Sequence, residues 1–203
     1  MASTRQKKKP HWIVGVDEAG RGPLAGPVSL AALAVRFDDR HIFESEKVRD
    51  SKQLSESARE KVLAELRVLR RRGVIRYAVS LIGPDIIDRR GIVSAVKRGI
   101  RNVLSRLRLE ASATVVLLDG GIRAPKRFTE QRTIIKGDAT VPIIARASVV
   151  AKVTRDRKMK KYALEFPEYG FEVHKGYGTL FHMKKIRKHG PSKIHRRTFL
   201  KGV

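Results

Sequence analysis

Apolar residues first gather in "HWIVGV" and again, after a Gly/Pro turn, in "GPVSLAALAVRF". Both runs are short and continuous, which predicts two buried strands. In "SESAREKVLAELRVLRRRG" the spacing changes. Ala58, Val62, Leu66 and Leu69 form one stripe, Ser57 and Glu60 have the spacing of a capping box, and Gly73 ends the predicted helix. "VIRYAVSLI" alternates, with Ile75, Tyr77, Val79 and Leu81 on one face of a strand. Helical spacing returns in "GIVSAVKRGIRNVLSRLRL" through Ile92, Val96, Ile100, Val103 and Leu107, with Gly99 inside it at a cost of about 1 kcal/mol relative to Ala.

"TVVLLDGG" and "RTIIKGD" read as two more strands, ending in Asp119 and Asp138. A long helix is expected from about Pro142 to Leu164, then a turn-rich stretch, a short helix in "TLFHMKKIRKHG" and an irregular basic end. Two tightly joined strands followed by alternating strands and helices predict an α/β domain, a mixed central sheet flanked by helices, over residues 11–165. Residues 166–203 are expected to form a C-terminal helical extension, and residues 1–10 a disordered basic tail.

The strand ends carry the candidate chemistry. Asp17, Asp119 and Asp138 each follow an apolar run directly or within two residues, and Glu18 stands beside the first. Strand ends converge at one edge of an α/β sheet, where such proteins hold their ligands. Acids brought together there need a positive partner, either Lys or Arg or a divalent cation. Hard cations such as Mg²⁺ and Mn²⁺ choose carboxylate oxygens, and a two-ion site suits phosphodiester hydrolysis. In a continuing strand Asp17 and Glu18 point to opposite faces, so a shared site requires the strand to end or bend, as Gly20 and Gly22 would allow.

Charge changes the picture further. The 203 residues hold 45 Lys+Arg against 20 Asp+Glu, a formal net charge of +25, with 41% hydrophobic residues to build a core. Such a field attracts polyanions, so nucleic acid is the expected partner of an acidic pit set in a basic surface. The absence of cysteine excludes disulfides and thiolate chemistry. No apolar run reaches the ~18 residues of a membrane span, so a cytoplasmic protein without membrane contact, working as a monomer, is expected.

"GVDEAGRGPLAGPV" closely resembles the signature of bacterial ribonuclease HII, the type 2 ribonuclease H family. The likeness continues in "RDSKQLSESAREK", "LLDGG", "IIKGDATVPIIARASVVAKVTRDRKM", "YGFEVHKGYGT" and "HGPSKIHRRTF", in family order from about Trp12 to Phe199. It implies a ribonuclease H-like fold and an endonuclease cutting the RNA strand of RNA–DNA hybrids. It also implies cleavage 5′ of single ribonucleotides in duplex DNA, leaving 3′-hydroxyl and 5′-phosphate ends. Carried over by motif, Asp17, Glu18, Asp119 and Asp138 hold two Mg²⁺ or Mn²⁺ ions, with Asp17 bridging. Gly20, Arg21 and Gly22 would sense the 2′-hydroxyl, and Tyr177 would stack on the adjoining deoxyribose. Lys52, Arg196 and Arg197 are expected phosphate contacts.

Other residues have plainer readings. Asp156, between Arg155 and Arg157, fits local charge pairing, and His174, His182 and His195 fit surface or packing roles rather than a metal site. Arg146 and Lys193 depart from the family pattern, where alanine and proline are usual. A buried Arg needs a partner, so Arg146 is expected to reach a carboxylate or solvent. A non-catalytic RNA-binding protein and a junction-cutting nuclease of the same fold remain the alternatives.

Overall fold

The structure, a computed structural model, describes residues 11–44 and 54–201. The expected basic tail, and Lys52 with its "DSK" motif, lie outside the described residues. The strands are β1 (Trp12–Ala19), β2 (Val28–Arg36), β3 (Ile75–Ile82), β4 (Thr114–Asp119) and β5 (Gln131–Ile134). The helices, numbered along the chain, are α1 (His41–Glu44), α2 (Glu56–Arg71), α3 (Pro84–Leu107), α4 (Gly137–Thr140), α5 (Pro142–Glu165), α6 (Phe171–His174) and α7 (Leu180–His189). The strands form one sheet of order β3-β2-β1-β4-β5. β1 pairs antiparallel with β2 and parallel with β4, so the sheet is mixed.

Helices cover both faces. On one, Val14, Val16, Leu30 and Ala32 pack with Ile87, Val96, Ile100, Val103 and Leu104 of α3. On the other, Ala31, Leu33 and Val35 pack with Leu63 and Leu66 of α2 and with Ile144, Ala147 and Val150 of α5. Coverage of both faces explains why β2 is apolar without alternation. A third, smaller core joins Ala25, Met159, Phe171, Ile186 and Ile194 under the segment after α5. His174, His182 and His195 are buried beside it, which matches their packing reading. Among the described residues no helix is long and apolar enough to cross a membrane.

The structure refines three expectations. α2 is capped by Ser55, whose hydroxyl accepts from the Ala58 amide at 3.2 Å, whereas Ser57 sits inside the first turn and contacts the Ser55 hydroxyl. α3 begins earlier than its apolar stripe, at Pro84, and breaks at Gly91, whose φ of 75° and ψ of 158° no helix accommodates. Gly99, costly by propensity, has a packing reason: a Cβ there would stand 2.3 Å from the Leu30 side chain.

Gly15 does the same for the site. A Cβ on it would meet the Ile143 carbonyl oxygen at 2.5 Å, so the bare backbone lets the first turn of α5 rest directly on β1, two residues below Asp17. Gly15→Ala is expected to push α5 off the sheet and to cost about 1–3 kcal/mol through overpacking, read by denaturant unfolding.

Candidate metal centre

Period-two alternation puts Ile13, Gly15 and Asp17 on the α5 face of β1, and Val14, Val16 and Glu18 on the α3 face. On β4, Leu117 and Asp119 share the α5 face, since Leu117 packs in that core and Leu118 in the other. The parallel register ends with Val16 opposite Leu118, which brings Asp17 and Asp119 side by side at the C-terminal ends of neighbouring strands. Asp138 arrives differently. β5 stops at Ile134, and Asp138 stands four residues later on the short turn of α4, entered through Lys136 in the left-handed region at φ 56°. The strand-end placement expected for Asp138 is thus corrected, although its destination is the same. The Gly137 amide donates to Asp119 Oδ1 at 2.7 Å and ties α4 to β4.

Carboxylate oxygens of Asp17, Asp119 and Asp138 all lie within 4.8 Å of one another. Among the described residues this is the one group of three or more acids and histidines placed to share a metal ion. Burial first, then the negative charges of Glu18 and Asp119, push the Asp17 carboxyl up to about 8, against hydrogen bonds from Ser148 and the Glu18 amide that favour the charged form. An acid so crowded cannot ionise freely without a positive partner. The oxygen-only donors and the unfavourable charge both fit a hard divalent cation.

Glu18 lies outside that trio. β1 runs on through Ala19 before it ends at Gly20 (φ 90°), so the backbone still alternates at the acid pair and the bend comes after it. Glu18 Oε1 instead accepts from Arg21 at 3.2 Å, and its charge still reaches Asp17.

The loop after β1 is braced from beneath by two arginines, Arg196, expected at a phosphate, and Arg155, expected only as a flank of Asp156. Arg196 is fully buried: Nε donates to the Gly26 carbonyl at 2.9 Å, and its two terminal nitrogens to the carbonyls of Arg21 at 2.7 Å and Gly20 at 2.6 Å. Its guanidinium is spent on the loop, so the phosphate contact expected of it is corrected to a support. Arg155, equally buried, donates to the carbonyls of Pro27 at 3.0 Å and Ala25 at 3.2 Å. A Cβ on Gly20 would sit 2.0 Å from Arg155 Nε, which is why this loop starts with glycine. A Cβ on Gly22 would meet nothing within 4 Å, so the backbone there faces open space.

The same loop is stitched to the C-terminal segment. The Leu24 and Ala25 amides donate to the Gly176 carbonyl at 2.8 and 3.3 Å, and the Arg196 amide donates to the Leu24 carbonyl at 2.8 Å. Tyr177, 45% exposed, follows Gly176, with Arg155 5.7 Å from its ring centre and Lys152 6.0 Å away. Arg197 is exposed, and its amide and that of Thr198 donate to Asp88, a carboxylate with no sequence signature of its own. Asp156 pairs with Lys152 at 3.0 Å, one helical turn away, rather than with either flanking arginine. Half-buried Arg146 lies 4.6 Å from the Phe43 ring centre and donates to the Pro142 carbonyl, so an aromatic face and a backbone oxygen meet its need for partners. Lys193 is exposed, 3.9 Å from Glu165.

Buried hard-oxygen ligands in a chain of net charge +25 are the equipment of a metal-dependent nuclease, and a sheet of this order with its helices is the ribonuclease H-type arrangement. The family model for ribonuclease HII matches residues 14–201, and the chain belongs to that family. It is 44% identical over 191 residues to ribonuclease HII of Ruminiclostridium cellulolyticum, covering 94% of this chain and 71% of the relative. Ribonuclease HII of Caldicellulosiruptor bescii is 43% identical, over 95% of this chain and 88% of the relative. The crystal structure of ribonuclease H2 from Pyrococcus horikoshii superposes with a TM-score of 0.67 at 28% identity, over 92% of this chain and 93% of that one. The protein is therefore a metal-dependent endoribonuclease acting on RNA–DNA hybrids.

Two outcomes check the geometry of the site. Asp17 must lose its proton to bind a cation, so Mg²⁺ or Mn²⁺ affinity should rise as pH approaches 8 and level off above it, with net proton release below. Calorimetry in buffers of different ionisation enthalpy measures both. Arg196→Lys, which cannot reproduce the three-pronged fork, should leave loop carbonyls unpartnered and cost about 1–3 kcal/mol per lost bond in thermal unfolding.

Proposed function

We propose that this enzyme incises at RNA-to-DNA junctions, including 5′ of a single ribonucleotide embedded in duplex DNA, and leaves 3′-hydroxyl and 5′-phosphate ends. The observation that carries the proposal is the convergence of Asp17, Asp119 and Asp138 beside a glycine loop whose backbone is held from below and open above. Asp17, Asp119 and Asp138 would hold two Mg²⁺ or Mn²⁺ ions, with Glu18 completing the set once released from Arg21. Divalent cations bound there supply charge neutralisation at the scissile phosphate and acidify a bound water.

The remaining work falls to this chain's own residues. With the Gly20 and Arg21 carbonyls turned down onto Arg196, the Gly20–Arg21–Gly22 loop has one side committed to the protein and the other free for a sugar edge. The absence of a Cβ at Gly22 lets a ribose approach the backbone, and the 2′-hydroxyl is the group that marks it as RNA. Tyr177 offers a half-exposed aromatic face that is sterically suited to a deoxyribose, where a 2′-hydroxyl would collide with the ring. Exposed cations, Arg197 and Arg21 among them, are suited to the phosphate backbone.

The direct test is cleavage of a duplex with one embedded ribonucleotide, in the presence of Mg²⁺, Mn²⁺ or chelator. Cutting should need the metal and stop when that ribonucleotide is replaced by its deoxy counterpart; continued cutting would sink the proposal. Asp17→Asn should nearly abolish turnover while hybrid binding persists, because cationic surface rather than the acids supplies affinity. Binding should weaken by ~10³–10⁵ between 50 and 200 mM salt if ~6–10 phosphates are contacted.

A further inference from the structure

The three buried histidines are more than filling, because the donors and acceptors around them fix each ring's tautomer. The Tyr177 carbonyl can only accept, so His182 Nδ1, 2.9 Å away, carries a proton. The Ser192 amide can only donate, so His195 Nδ1, at 2.9 Å, is bare and its proton sits on Nε2. His195 Nε2–H then donates to His182 Nε2 at 3.0 Å, which closes one directional chain from Ser192 to Tyr177. His174 obeys the same logic: Nε2 donates to the Tyr169 carbonyl at 2.9 Å, and Nδ1 accepts from the Gly176 amide at 3.1 Å. It stacks on His182 with ring centres 4.2 Å apart. Burial, above all, holds His182 and His195 down at about 4, so both rings stay neutral and the chain keeps its direction at physiological pH.

This chain runs between the neighbourhoods of the two proposed sugar-reading elements. The His195 backbone bridges to Ala25 within the glycine loop, and the next residue is the loop's support, Arg196. The other end holds Tyr177, whose amide donates to the His174 carbonyl and whose carbonyl also accepts from the Thr179 amide, both at 2.9 Å. Every backbone polar group of Tyr177 is thus committed while its ring stays half exposed.

We propose that His182 is a positioning residue for junction selection: its Nδ1–H, kept in that tautomer by the proton His195 donates to Nε2, sets where the Tyr177 ring stands relative to the Gly20–Arg21–Gly22 loop. The proposal rests on the reading of Tyr177 as the deoxyribose contact. His182 does not touch substrate and acts through Tyr177, while His195 fixes the tautomer of His182.

The test compares kcat/KM for a duplex with one embedded ribonucleotide against kcat/KM for a hybrid with a continuous RNA strand. In H182N the amide nitrogen takes the place of Nδ1 and still donates to Tyr177, whereas H182Q reaches His195 but releases Tyr177. Both lose the imidazole, so a purely structural role would lower both melting temperatures and leave both selectivity ratios alike. The expected result is a selectivity ratio within about threefold of wild type for H182N, and a loss of about tenfold, the worth of one buried hydrogen bond, for H182Q. In a Y177A background H182Q should have no further effect on the ratio.

Equal ratios for H182N and H182Q would overturn the proposal. An unchanged ratio in Y177A would instead overturn the underlying reading of Tyr177, so the two failures are distinguishable. If H182Q does not fold, nitrogen-15 NMR of the wild-type rings decides. His182 must be the Nδ1–H tautomer and His195 the Nε2–H tautomer, and the reverse assignment would refute the chain.

Discussion

Burial of Asp17 beside the charges of Glu18 and Asp119 is the constraint around which the rest is arranged. Carboxylates sunk at a sheet edge resist ionisation, and Asp17 shows the strain in a carboxyl pushed up to about 8. Hydrophobic burial has to hold these acids where their charges would drive them apart. The scaffold does this by anchoring each aspartate to a different element: Asp17 on the central strand, Asp119 on its parallel neighbour, Asp138 on a turn fixed to Asp119 through the Gly137 amide. Helix α5, seated on Gly15, adds the Ser148 hydroxyl to Asp17 and locks the geometry from one side.

α5 also links the acids to the elements proposed to read the substrate. Its first half covers the metal face, Arg155 in its third quarter reaches under the glycine loop, and Met159 begins the small third core. Charge therefore has two distinct uses in this molecule. Exposed lysines and arginines create the field that draws in a polyanion, whereas Arg155 and Arg196 are withdrawn from it entirely and serve as multi-pronged donors to backbone carbonyls. Burial of a guanidinium is tolerable when its donors are matched by oxygens, and the three carbonyls on Arg196 supply that match.

Much of this was legible in the chain. The β1, β2 and β4 runs stand out as short continuous apolar stretches, and the α2 stripe as helical spacing. The acid sites were visible as interruptions of those runs, and the ordered motif blocks named the family. What escaped has a common cause. The route of Asp138 through α4, the role of Arg196 and the pinning by Asp88 depend on contacts between residues far apart in sequence, and no local spacing records them. Glu18 was harder still: the chain bends at Gly20, after the pair, so the acid stands outside the close trio while its charge still reaches Asp17. The histidines were read as surface or packing groups and are buried, yet their tautomers follow only from which backbone atoms surround them.

Arg196 and the carbonyl of Gly20 are 176 positions apart, and that separation constrains biosynthesis. Translation delivers the acids, the glycine loop and most of the sheet long before the guanidinium that supports the loop. Until residue 196 has cleared the ribosome, the polypeptide can assemble its sheet but not a supported glycine loop.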